Sequence, residues 1–400
     1  MPINTDPQKI QELLTRGVEN VYPKPEFLAQ RLKSGERLTL YLGIDPTGPK
    51  LHLGHAISLM KLRQFQELGH QVIMLIGSFT AMIGDPTDKA ATRKPLTRDQ
   101  VIANAQKYKD QAAKIIDFKG KNKVEVKYNG EWLDKLNFKE VIELASNFTV
   151  QQMLARDMFE LRLKEGKPIS LHEFLYPLMQ GYDSVAMDVD GEVGGNDQTF
   201  NMLAGRDLMK ALGKKEKFVL TNKLLVDSSG KKMGKTEGNM ITLADEPNDM
   251  FGKVMSWTDG MIVSGFELCT VVSMSRVKEV KKQLAEGVNP RDLKVELAKE
   301  VVKIYFDESA ADEAEQNFIN TFKNKQQPDE IEVKTITGRN IVDVLVESGL
   351  VSSKTEAKRQ IEQNAVRVND IPVDRDSLEV SDGDVIQKGK RHFVRVALGK

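Results

Sequence analysis

LTLYLGIDPTGPKLHLGHAISLMKLRQFQELGHQVIMLIG, residues 38–77, is the stretch whose reading decides the fold. LTLYLGI (38–44) is a short apolar run, AISLMKLRQFQEL (56–68) has helical spacing, and QVIMLIG (71–77) is continuously apolar, as a strand covered on both faces must be. The pattern predicts a strand, a crossover helix and a parallel strand within about 40 residues. In open sheets of this kind ligands sit beyond the carboxyl ends of the strands, and the loop from Asp45 to Leu51 lies there. His52 and His55 then fall in the first turn of the crossover helix, on one face. Unpaired backbone N–H groups and the positive end of the helix dipole favour an anion at that point.

A His-x-x-His pair by itself is commonly two surface histidines. Here Gly54 lets a ligand approach the backbone, and Asp45, Pro46 and Thr47 put a rigid polar loop ahead of the helix. Two histidines without a third ligand make a poor metal site, so the constellation suits an ATP phosphate chain better than zinc. A second phosphate candidate is VDSSGKKMGKTEGNM (226–240), where Lys231, Lys232 and Lys235 stand among Gly230, Gly234 and Gly238. Such lysines are point charges suited to a leaving pyrophosphate, and the spacing is not that of a Walker loop.

The bulk numbers agree with a globular protein of several domains. At 400 residues the chain exceeds one ordinary core, and 40% hydrophobic with 29% charged residues describes a globular protein. The formal charge is zero, so a nucleic-acid partner has to be held by local basic patches. The N-terminus lacks the pattern of a secretory signal, and no stretch reaches the roughly 18 apolar residues of a membrane span. A cytoplasmic location and no membrane association are expected. One cysteine, Cys269, excludes an internal disulfide and a cysteine-cluster metal site, and no protein-bound metal is expected.

With HLGH and KMGKT (232–236) both in view, the chain resembles the class I aminoacyl-tRNA synthetases, whose signatures are His-Ile-Gly-His and a mobile Lys-Met-Ser-Lys-Ser loop. Leu53, Gly234 and Thr236 depart from those signatures, and the glycine and threonine variants are familiar in the tyrosyl branch. YLGIDPTGPKLHLGH (41–55), LYPLMQGYDS (175–184) and VGGNDQTFN (193–201) resemble the bacterial tyrosyl branch over the whole catalytic region. Chemically, Tyr176, Gln180 and Asp183 stand at i, i+4 and i+7 on one helix face, which suits a pocket for a small zwitterion with a polar side chain.

The resemblance implies an α/β fold: a Rossmann-like parallel-sheet catalytic domain (1–225), the mobile loop with an α-helical anticodon-side domain (226–325), a linker (326–336) and a small α+β C-terminal RNA-binding domain (337–400). It implies a homodimer acting on L-tyrosine, ATP with Mg2+ and tRNA(Tyr). Asp183 and Tyr41 would bind the phenolic hydroxyl of tyrosine; Asp85, Tyr176 and Gln180 its ammonium; Gln198 its carboxyl end. Gly43, Asp45, Gly54, Gly195 and Asp197 would lie along ATP, the last two on the ribose side. Thr47 and His52 would contact the γ-phosphate and His55 the ribose side. Lys232, Lys235 and Thr236 would close over pyrophosphate, with Lys89 and Arg93 as outer partners. The segment 100–150, including VKYNGEWLDKL, is expected to be connective and near a dimer contact.

Past residue 240 the pattern is helical. Val277, Val280 and Leu284 form one stripe, Leu293, Leu297, Val301 and Ile304 a second behind Asn289 as cap and Pro290, and Ala311, Ala314, Phe318 and Phe322 a third. KNKQQPDEIEVKTITG (323–338) reads as a linker. Then follow a helix at Ile341–Leu345, a second opened by a Ser353/Glu356 capping box, a hairpin at Asn369 and Asp370, and two closing strands. Lys354, Lys358, Arg359 and Arg367, with Lys388, Lys390, Arg391 and Arg395, form basic clusters suited to RNA phosphates. A tryptophanyl-type synthetase, a small-molecule adenylyltransferase and an RNA-binding or splicing protein on a synthetase scaffold are the alternatives. The first fits a pocket of Tyr41, Gln180 and Asp183 less well, and the second has no use for the helical domain and basic tail.

Overall fold

The computed structural model describes residues 2–85, 96–227, 240–324, 331–363, 365–369, 371–389 and 392–399. The chain forms two compact units, Met1–Glu315 and Gln316–Lys400.

In the first unit, β1 (Val18–Tyr22), β2 (Thr39–Ile44), β3 (Gln71–Ile76), β4 (Glu125–Tyr128), β5 (Gly191–Gly195) and β6 (Phe218–Asn222) form one sheet in the order β1-β6-β5-β2-β3-β4. All neighbours are parallel except β1 and β6. The sheet is therefore mixed, with an antiparallel edge strand beyond the parallel core expected from the sequence. β2 and β3 are in register from Thr39↔Gln71 to Ile44↔Ile76, and the helix Leu53–Glu67 connects them. Phe65 of that helix stacks on Phe218 of β6 at 5.9 Å, and Gly191 is required where it lies, because a Cβ there would meet the Phe218 ring at 2.1 Å.

Chain order reverses between β2 and β5. These strands pair only at Leu40↔Gly191 and Tyr41↔Glu192 and then part, although each runs on for several residues. The parting opens the crevice at the carboxyl end of the sheet where a switch-point site belongs. Two helices flank it, Leu171–Met187 and Thr199–Ala211. They cross at Gly181 and Gly205, where a Cβ on Gly181 would stand 3.2 Å from the Gly205 nitrogen.

The later helices include Met274–Ala285, Pro290–Tyr305 and Glu308–Asn324. Their expected stripes are buried at Val277, Val280, Leu293, Leu297, Val301, Ala311 and Ala314. Leu284, Ile304 and Phe318 are half-buried, and the Phe322 side chain is outside the description. Asn289 caps its helix by accepting from Arg291 N at 3.0 Å. The first two of these helices, and the third as far as Glu315, share the first compact unit with the sheet, so the 225/226 division expected from the sequence does not separate compact units. One physical reason is Arg16, whose guanidinium donates to the carbonyls of Phe266 (3.2 Å), Glu267 (3.1 Å) and Thr270 (2.6 Å) around the end of the helix Ile262–Cys269.

The second unit holds β7 (Val333–Ile336), β8 (Val366–Val368), β9 (Ile371–Pro372), β10 (Val385–Lys388) and β11 (His392–Leu398), in the order β7-β11-β10-β8-β9. The helices Ile341–Glu347 and Lys354–Glu362 pack on it through Ile341, Val344, Leu345, Ala357 and Ile361. The stretch read as a linker ends in structure: β7 pairs in parallel with β11, Val333 opposite Arg395. Only half of the expected capping box forms. Ser353 accepts from Glu356 N, but the Glu356 carboxylate turns to Ser352 instead. β8 and β9 do form the expected hairpin, with Asn369 at φ 50°; Asp370 lies outside the described residues.

Candidate active site

His52 is the N-cap of the helix Leu53–Glu67, one residue ahead of the first turn, and His55 is its third residue. The Nδ1 of His52 accepts from Gly54 N at 3.1 Å, and the Nδ1 of His55 accepts from His52 N at 3.2 Å. Each neutral imidazole therefore carries its proton on Nε2. The rings lie 3.9 Å apart. Leu53 N donates to Ile241 O (3.1 Å) and Leu243 N to Leu51 O (2.9 Å), which holds the residues that follow the lysine-glycine stretch against HLGH. Lys232, Lys235 and Thr236 themselves lie outside the described residues, as do Lys89 and Arg93.

An acidic cluster stands at the end of β2. Asp45, at the end of β2, accepts from Tyr176 Oη at 2.8 Å and from Thr80 Oγ1 at 2.6 Å. Gly77 leaves room for that carboxylate, since a Cβ there would fall 1.8 Å from Asp45 Oδ1. Asp183, 2% exposed, accepts from Trp132 Nε1 (2.8 Å) and Asn129 Nδ2 (3.3 Å). Burial pushes its carboxyl well above the usual carboxylate range, and Glu192 and Asp45 push the same way against those two hydrogen bonds. Burial, then the nearby Asp45 and Asp85, likewise raise the Tyr176 hydroxyl, which stays a phenol. The face carrying Tyr176, Gln180 and Asp183 is turned inward, so it is no solvated polar stripe.

Tyr41 Oη is 2.9 Å from Ser184 Oγ, and Gln180 Nε2 donates to Glu192 at 3.1 Å. Asp85 accepts from Gln198 at 2.7 Å and Asn201 at 3.5 Å, with Arg156 3.9 Å away. Asp197 follows β5 in a 3-10 turn, Asn196–Gln198, and Gly195 is glycine where a Cβ would stand 2.5 Å from Asp197 Oδ1. Thr47 N donates to the Asp45 carbonyl at 2.8 Å in the loop after β2. Gly43 is exposed near the end of β2.

The structure thus gathers Tyr41, Asp45, Tyr176, Gln180 and Asp183 at one end of the sheet, but the pairings differ from those expected, and several partners were not singled out by the sequence. Tyr176 is held by Asp45 and Gln180 by Glu192. Asn129 and Trp132 come from VKYNGEWLDKL, whose expected connective role is corrected: EVKY is edge strand β4 and the next residues line the site. In the second unit, Lys354 pairs with Asp343 (2.6 Å) and Lys358 with Asp376 (3.0 Å), both exposed. Lys388 is half-buried and donates to Leu350 O at 2.5 Å, so it ties the fold together. Arg359 and Arg367 are exposed; Lys390 and Arg391 lie outside the described residues.

A sheet with a histidine-capped crossover helix at its switch point, followed by a helical region, is the architecture of a class I tRNA synthetase. The family tRNA synthetases class I (W and Y) matches residues 33–323, and the S4 domain matches 339–386. The tyrosine–tRNA ligase of Haemophilus influenzae is 45% identical over 399 residues, 99% of this chain and 98% of that one. Tyrosine–tRNA ligase 2 of Vibrio cholerae is 47% identical over 388 residues, 96% of this chain and 97% of that one. A C-terminally truncated mitochondrial tyrosyl-tRNA synthetase from Coccidioides posadasii superimposes with a TM-score of 0.62 at 26% identity, over 77% of this chain and 91% of that one. The chain belongs to the tyrosine–tRNA ligases.

Proposed function

We propose that the Asp183 end of the cluster binds L-tyrosine and that the histidine-capped helix binds ATP, so that the chain makes tyrosyl-adenylate and then charges tRNA(Tyr). The observation that carries this reading is Asp183: a carboxylate kept out of water, fixed by two donors, beside a buried phenol, is an acceptor for a hydroxyl. Tyr41 and Asp183 take the phenolic end. Tyr176, Gln180 and Asp85 face the ammonium, and Gln198 the carboxyl end.

In the first step the tyrosine carboxylate attacks the α-phosphorus of Mg-ATP. A carboxylate–phosphorus bond forms, the bond to the β-phosphate oxygen breaks, and pyrophosphate leaves. No general base is required, because the nucleophile is already ionised near neutral pH. Catalysis is positioning and charge stabilisation. The Nε2–H groups of His52 and His55, with Thr47, are donors on the phosphate and ribose sides. Gly43, Gly54, Gly195 and Asp197 line the nucleotide, Lys232, Lys235 and Thr236 bind the leaving pyrophosphate, and Lys89 and Arg93 are its outer partners. Mg2+ arrives with ATP; among the described residues no group of three or more His, Cys, Asp or Glu could hold a metal ion. In the second step a terminal ribose hydroxyl of the tRNA attacks the acyl carbon and AMP leaves, with Arg359 and Arg367 of the S4 domain on RNA phosphates.

A homodimer is supported by apolar side chains exposed on three helices between residues 138 and 187: Phe138 (79%), Ile142 (54%), Leu161 (56%) and Leu171 (79%). No described helix is long and apolar enough to cross a membrane, and we place the enzyme in the cytoplasm. Titration of the apoprotein with amino acids tests the site. Tyrosine alone should bind, with phenylalanine weaker by about 100-fold or more; equal binding of the two would contradict the assignment of Asp183.

A further inference from the structure

Lys217 is fully buried, although it ends the charged run KKEK (214–217) and by sequence belongs at the surface. Its ammonium donates to Ser184 Oγ (2.7 Å), to Glu192 Oε2 and to the carbonyl of Met202 (3.1 Å), which uses all three of its protons. Glu192, 1% exposed, returns its other oxygen to Gln180. Gly205 is what admits this contact, because a Cβ there would lie 2.7 Å from both Lys217 Nζ and Ser184 Oγ. Glu192 is also the residue opposite Tyr41 in the last pair before β2 and β5 part. One buried ion pair is thereby wired to two residues at opposite ends of the proposed tyrosine site.

Donor and acceptor accounting gives the wiring a direction. An ammonium only donates, so Ser184 Oγ accepts from Lys217 and has its own proton to give to Tyr41, 2.9 Å away. The Tyr41 proton then has the Glu192 carboxylate, which also bonds the Tyr41 hydroxyl, as its acceptor, so the ion pair holds Tyr41 from both sides. A carboxylate only accepts, so the Gln180 NH2 is turned toward Glu192 and the Gln180 carbonyl oxygen toward the site. The Gln180 polarity is the one that an ammonium requires, and at the phenol end the pair fixes the direction in which the Tyr41 hydroxyl points.

We propose that Lys217 and Glu192 are a positioning pair that sets the hydrogen-bond polarity of the tyrosine site, through Ser184 and Tyr41 at the phenol end and through Gln180 at the amino end. The inference rests on reading that site as the tyrosine site. Buried pairs of this kind add little to stability over well-packed apolar side chains, whereas loss of one member strands a charge. The test therefore uses Lys217→Met and the double variant Lys217→Met/Glu192→Met in pyrophosphate exchange, with thermal unfolding alongside.

In both variants the KM for tyrosine should rise about tenfold or more while the KM for ATP stays within about twofold, and the preference for tyrosine over phenylalanine should fall by at least about tenfold. The double variant should regain thermal stability lost in the single one without regaining these kinetics. If Lys217→Met does not fold, the double variant carries the test. A double variant with wild-type tyrosine KM and wild-type discrimination, or parallel rises in both KM values, would overturn the proposal. Absence of tyrosine-dependent exchange in the wild type would instead sink the reading of the site beneath it.

Discussion

Trp132 donates its indole N–H to Asp183 across 2.8 Å, joining a residue just past the edge strand β4 to a helix 51 residues further along the chain. A hydrogen bond to the charged form favours that form, and here it opposes the burial that pushes the Asp183 carboxyl up.

Trp132→Phe should therefore leave Asp183 harder to ionise. The KM for tyrosine should rise by about tenfold near neutral pH, consistent with one lost bond to a charged acceptor. It should rise further as pH falls, because the variant carboxyl takes up its proton at a higher pH than in the wild type. A tyrosine KM profile measured from pH 6 to 9 decides it, and a pH-independent ratio of variant to wild type would refute the link.

Asp183→Asn separates function from stability. A carboxyl whose folded pKa lies above its unfolded value contributes stability below the unfolded value and loses it as pH rises through the folded one. An amide does not titrate. The variant should be more stable than the wild type by about 1 kcal/mol at neutral pH, with the gap widening from pH 4 upward, while tyrosine activation falls by at least about 100-fold. Urea unfolding at several pH values checks this; a gap that narrows with rising pH would show that burial is not what shifts the group.

Much of this was legible in the sequence, and the reasons differ by element. β2, β3 and their crossover helix are long, apolar and local, so periodicity alone finds them. The edge strands β1, β4 and β7 (VENVY, EVKY, VKTI) are short and polar, and partners distant in sequence make them strands. Among the residues of the candidate site, those carried by motifs were named in advance: Tyr41, Asp45, His52, His55, Tyr176, Gln180 and Asp183. Asn129, Trp132, Ser184, Glu192 and Lys217 were not. Each meets the site through tertiary bonds that no local motif announces, and Lys217 hides in a run that composition marks as solvated. The inward turn of the Tyr176/Gln180/Asp183 face was the one available clue that buried partners had to exist.

His52 has two duties that substitution can divide. Its Nδ1 caps the helix while the opposite nitrogen carries the proton. His52→Ala removes both and should lose about 1 kcal/mol of stability along with most of the adenylation rate. Asparagine is a good N-cap, so His52→Asn should recover the stability and little of the rate. Tyrosine affinity should stay near wild type in both. Single-turnover adenylate formation with parallel melting curves reads the split, and an asparagine variant of full activity would make the cap the whole of the role.

The S4 unit begins earlier than its helices suggest, because β7 belongs to its sheet. A chain ending at Asn324 should keep tyrosine activation within about twofold and lose tRNA charging by about 100-fold or more, as expected when phosphate contacts are removed. Comparable loss of both activities would mean that the unit supports the fold of the first one.

The most direct measurement of the central claim is exchange of labelled pyrophosphate into ATP, without tRNA, in the presence of tyrosine, phenylalanine or tryptophan. A buried Asp183 that reads a phenolic hydroxyl predicts exchange with tyrosine and none above background with phenylalanine or tryptophan at equal concentration. Exchange with tryptophan, or equal exchange with phenylalanine, would contradict it.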